Sequence, residues 1–174
     1  MRQKTIIEPQ CCIPSTLINW PEKYGPERTA VHVHNEMDMP VPAEAVWPWL
    51  VRADLWPTWY SNSKDVVIEG EGHELALGTR FRWKTFGASL SSKVEEFVPF
   101  ERLDWSARAT GVDVYHAWLI EKTSAGCHVV TEENQNGFLA RLSNSLRPGN
   151  TERYHQVWIE NLLVKAKSGP PPTV

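Results

Sequence analysis

Cysteine is scarce in this chain, three in 174 residues, and unevenly placed: Cys11 and Cys12 adjoin while Cys127 stands alone. An odd count excludes a closed disulfide framework, and the adjacent pair lacks the spaced second pair that a structural zinc site needs. All three read as free thiols, with Cys127 a small buried hydrophobe at a strand start, since no neighbour in sequence would lower its pKa. Excess charge of one sign is also missing. Eighteen Lys and Arg face 21 Asp and Glu for a net charge of −3, and they are scattered rather than gathered into the basic stripe of a nucleic-acid binder. No apolar run approaches a membrane span, and only Ile6 and Ile7 are apolar between Arg2 and Glu8, too little for a secretion signal. A soluble cytoplasmic protein is expected. Absent too are a Gly-rich phosphate cradle, a Gly-x-Ser-x-Gly elbow and a paired metal-ligand motif, so no cofactor and no metal are expected.

What the chain does have is tryptophan, nine in all. Each ring must bury a large area and find a partner for its indole N–H, and a core of so many rigid aromatics need not close completely. The length suits one domain, and no internal repeat argues for two. Residues 1–29, with Pro9, Pro14, Pro21 and Pro26, show no periodicity and read as an extended arm; Ile13, Leu17, Ile18 and Trp20 let it lie on the domain. The tail 168–174, with Pro170, Pro171 and Pro172, reads as a disordered end.

Between them, periodicity predicts a domain over residues 30–167. Val31 to Met39 alternates, with Val33, Asn35, Met37 and Met39 sharing one face and His32, His34, Glu36 and Asp38 the other. Pro42 opens a helix with Val46, Trp47 and Leu50 on its buried side and Pro48 as a kink; a second short helix is expected around residues 56–60. Short alternating stretches follow, separated by Gly turns, and predict six to seven antiparallel strands. A helix from Phe138 to about Leu146 stops at Pro148-Gly149. Asn150 or Thr151 can cap the last helix, whose predicted face is Tyr154, Val157, Trp158, Asn161 and Leu162.

The strand around His116 is the most informative. Val112, Val114, His116, Trp118 and Ile120 point one way, so a titratable ring sits amid apolar neighbours. On the next strand Val129, Thr131, Glu133 and Gln135 share that face, and the turn near Ala125 brings Glu133 within a diagonal step of His116. The pair reads either as a buried hydrogen bond between strands or as a general acid–base couple. His32, His34, Glu36 and Asp38 read as a solvated outer face rather than a metal site. Asn35 is the polar interruption on the inward side of its strand, able to bond a ligand oxygen or a backbone group. Phe81, Trp83, Leu90, Trp105, Trp118, Thr131, Tyr154 and Trp158 are the candidate cavity wall.

Four segments carry a family likeness: Met39-Pro40-Val41-Pro42-Ala43-Glu44-Ala45-Val46-Trp47, Leu55-Trp56-Pro57-Thr58-Trp59, Gly78-Thr79-Arg80-Phe81, and Trp158 to Leu162. In this order the chain resembles the START-like superfamily, also called SRPBCC, and within it the polyketide cyclase/dehydrase and lipid-transport group. The resemblance implies an α+β helix-grip fold, a curved antiparallel sheet wrapped around a long C-terminal helix, with two short helices after the first strand. It also implies a deep apolar cavity between sheet and final helix for a hydrophobic, cyclic or aromatic, small molecule. Three functions follow from this fold: a ligand binder, a cofactor-independent cyclase or dehydratase using His116 and Glu133, and a co-chaperone-like interaction module. A filled, Trp-packed interior without a cavity would favour the third.

Overall fold

A computed structural model describes residues 18–173. The first strand, β1 (Val31–Met39), buries Val31, Val33, Asn35 and Met39 on one side, as its alternation requires. Helix α1 (Ala43–Val51) starts behind Pro42, whose missing N–H costs nothing there, and buries Val46, Trp47 and Leu50. The expected second helix is instead a 3₁₀ turn over Ala53–Thr58. Its bonds run from Leu55 N to Arg52 O and from Trp59 N to Trp56 O, because Pro57 has no N–H with which to continue an α-helical ladder.

Six further strands follow: β2 (Lys64–Ile68), β3 (Arg80–Thr85), β4 (Ala88–Val98), β5 (Arg102–Ala109), β6 (Val112–Thr123) and β7 (Gly126–Asn136). They form one antiparallel sheet in the order β1-β7-β6-β5-β4-β3-β2. Register lays inward residues in rows across it. One row runs Val33, Glu133, His116, Trp105, Val94, so Glu133 lies directly opposite His116 rather than one step diagonal to it.

Helix α2 (Phe138–Leu146) and helix α3 (Asn150–Lys167) complete the fold. The cap of α3 is Gly149 at φ 71°, not Asn150 or Thr151. Its buried face is His155, Trp158, Ile159, Leu162 and Ala166, with Tyr154, Val157 and Asn161 only half-buried. The predicted face was thus rotated, because it left His155 to solvent, whereas a buried carboxylate turns that ring inward.

Between sheet and α3 the interior is filled by aromatic rings. Trp56 packs against Phe81, Trp83, Trp105 and Trp158 at ring-centre distances of 5.9, 5.5, 5.5 and 5.1 Å. Tyr60 stacks on Trp158 at 4.4 Å. The Trp56 N–H donates to Leu50 O and the Trp83 N–H to Ser92 Oγ. The cavity expected here is therefore closed.

The outer face is partly covered by the described end of the arm. Ile18 and Tyr24 pack on Tyr115 and Ala117, and the Tyr24 hydroxyl donates to Asp113 at 2.6 Å. Residues 1–17, including Cys11, Cys12, Ile13 and Leu17, lie outside the described residues. The tail is not loose as expected. Trp49 Nε1 donates to Gly169 O and Arg52 to Pro172 O, and its prolines lower the entropy lost in docking. On the open part of the outer face His32, His34, Glu36 and Asp38 are exposed or half-buried, but His34 bonds Glu132, which is fully buried.

Candidate functional site

Three side chains from three elements meet at the inner face of β7. Glu133 Oε2 lies 3.0 Å from His116 Nδ1 of β6 and 3.5 Å from His155 Nε2 of α3. Both rings are 1 % exposed. His116 is held flat between Trp105, at 4.5 Å, and Trp118, at 5.8 Å. Its other nitrogen, Nε2, is 2.8 Å from Thr131 Oγ1, and Gln135 Nε2 donates to Glu133 Oε1. Burial pushes the His116 pKa down to about 4 against the pull of Glu133, so the ring is neutral. Burial alone would raise the Glu133 carboxyl. Its contacts with His116 and His155 outweigh that and hold it well below the usual carboxylate range, so it is an anion.

Glu133 also forms part of the wall of a cavity of about 420 Å³. This cavity lies under α2, beside the tryptophan cluster. Leu90, Val112 and Val114 of the sheet face Leu139, Ala140, Leu142 and Leu146 of α2 across it, and Gln135, Ser143, Arg147 and Thr151 supply polar edges. Local sequence explains the placement of α2. Gly137 takes φ 107°, and a Cβ there would stand 2.3 Å from Gly111 O, so the chain turns tightly against the β5–β6 turn before the helix begins. Leu139 N then bonds Gly111 O at 3.1 Å.

Of the expected site residues, the structure brings Leu90 and Glu133 to the cavity wall and sets His116 directly behind Glu133, with Thr131 bonded to the other nitrogen of His116. Phe81, Trp83, Trp105, Trp118 and Trp158 sit in the packed aromatic cluster, outside that wall. Tyr154 meets Phe86 edge-on at 5.4 Å. Asn35 donates to Gln156 Oε1 on α3, away from the cavity. His155 was missed, although it stands three residues before Trp158 and so shares its helix face. The α2 residues were missed because nothing in a nine-residue amphipathic helix says what its apolar side covers.

A curved antiparallel sheet gripping a C-terminal helix, with an apolar cavity at one end of that helix, defines the helix-grip class. The model of the family "Polyketide cyclase / dehydrase and lipid transport" matches residues 30–156. The chain belongs to this family of the START-like superfamily. Protein jhp0584 of Helicobacter pylori has a similar structure, with TM-score 0.81 and 30 % identity over 90 % of this chain and 99 % of that one. Protein MLL2253 of Mesorhizobium loti, at TM-score 0.62 and 19 % identity over 79 % of this chain and 98 % of that one, shares the fold. So does NE0264 of Nitrosomonas europaea, at 0.59 and 18 % over 80 % and 96 %. A search of curated proteins finds no match.

Proposed function

We propose that this protein binds a hydrophobic small molecule, cyclic or aromatic, in the cavity beneath α2, with a donor group of the ligand bonded to Glu133. The observation that carries the reading is an apolar space of about 420 Å³ with one buried carboxylate in its wall. That size falls within the range of small-molecule sites, and a few fixed polar groups on apolar walls are their usual composition. A ligand hydroxyl or N–H meeting Glu133 would add a further bond to a carboxylate that His116, His155 and Gln135 already hold in place. Membership in a lipid-transport and cyclase family supports the same class of ligand.

The alternative, a cyclase or dehydratase moving protons through His116 and Glu133, calls for a group that titrates near neutral pH. His116 at about 4 and a still more acidic Glu133 are weak bases, so the electrostatics favour binding over proton transfer. The interaction-module reading is weakened by the cavity itself, and by residues 18–29 covering part of the outer face.

The test is saturable binding of an anilinonaphthalene fluorophore, measured for the native protein and for Leu90→Trp, which fills the cavity. One-to-one binding lost in the variant is expected. Binding that survives Leu90→Trp places the probe elsewhere and overturns the proposal.

A further inference from the structure

We propose that His116, Glu133 and His155 bind one first-row divalent transition-metal ion of the Zn²⁺ or Fe²⁺ kind, at the inner end of the cavity wall. Among the described residues this is the place where three such groups converge, one atom from each lying within 4.8 Å of the others. Two imidazole nitrogens and one carboxylate oxygen form the donor set that borderline divalent ions take, with coordination positions left open. Ligand atoms about 2.1 Å from a tetrahedral ion stand about 3.4 Å apart. The separations from Glu133 Oε2, 3.0 and 3.5 Å, bracket that spacing.

The surroundings single out one atom on each of two ligands. Thr131 engages Nε2 of His116 and leaves Nδ1 for the common point; Gln135 engages Oε1 of Glu133 and leaves Oε2. Such outer partners fix ring and carboxylate orientation in metal sites. Trp105 and Trp118 clamp the His116 ring, and all three ligands come from regular elements rather than loops. Because Glu133 belongs to the cavity wall, water or a ligand oxygen can take the open positions. No linear motif reveals the site, since its ligands are spread over β6, β7 and α3. On the outer face His34 Nε2 and His128 Nε2 also approach one oxygen, Glu36 Oε2, at 3.3 and 3.5 Å, but their other nitrogens are drawn to separate carboxylates, Glu132 and Asp38.

The experiment uses the full chain without an affinity tag, stripped by chelator and titrated calorimetrically with Zn²⁺ alone. One ion per chain is expected. His155→Ala should weaken binding by roughly a hundredfold or more, and the positioning change Thr131→Val by about tenfold or more, while His34→Ala on the outer face leaves it unchanged. Because a buried substitution can unfold the chain, the wild-type protein is also read by imidazole nitrogen NMR. There Zn²⁺ should move the His116 and His155 resonances together, saturating at one equivalent. No stoichiometric binding, or binding lost in His34→Ala with those two rings unmoved, would overturn the proposal.

Discussion

Asp104 on β5 is shut away from water, 2 % exposed, with Oδ1 accepting from Trp118 N and Oδ2 without a partner. Burial, reinforced by Glu96, pushes its carboxyl up to about 8. The unfolded value is about 3.9, so over this interval the folded chain holds a proton that the unfolded chain has lost. Stability from this group is complete at acid pH and declines as pH rises through about 8. Asp104→Asn keeps the acceptor and removes the titration. The unfolding free energy of the variant, from urea melts, should therefore gain on the wild type as pH rises toward about 8 and level off above it, by roughly 1.4 kcal/mol per pH unit over that interval. Parallel pH profiles for the two proteins would refute this. At Trp158, whose ring touches Trp56, Tyr60 and Trp118, substitution by Ala should cost about 3 to 5 kcal/mol of unfolding free energy. The exposed neighbour Glu160 should accept Ala within about 0.5 kcal/mol.

Among the elements, α2 is the one on which the cavity depends. It roofs the cavity with Leu139, Ala140, Leu142, Ser143 and Leu146, of which Leu142 and Leu146 are also exposed to solvent, as is Phe138, and Gly137 sets its angle. Gly137→Ala should raise hydrogen exchange over residues 138–146 and leave that of α3 as it was; equal exchange throughout would show that the glycine does not position the helix. The limits of α2 were readable, because Gly137 and Pro148-Gly149 bracket an apolar-periodic stretch. Strands were readable for a similar reason: alternation such as Phe81, Trp83 against Arg80, Arg82 reports directly on which side is buried. The face of α3 was not, since the position of His155 depends on Glu133 of β7, with the whole of α2 between them in the chain. His116 and Glu133 could be paired from strand parity alone, but their third partner comes from a helix whose rotation only packing sets.

At the scale of the molecule, the sheet divides two kinds of packing. Its inner face holds the aromatic cluster against α1 and α3, and its outer face carries the arm around Tyr24 and Tyr115. Whether such a cluster leaves a void is a matter of volumes in three dimensions, which periodicity cannot report; here Trp56, Trp105, Trp118 and Trp158 close the middle, and the space moves to α2. The account rests on that space holding a ligand. Methyl NMR during titration with an anilinonaphthalene probe tests it most directly. Methyl signals of Leu90, Val112, Val114, Leu139 and Leu142 should shift together and saturate at one equivalent; shifts that never saturate, or that gather around the tail near Arg52 and Pro172 instead, would contradict it.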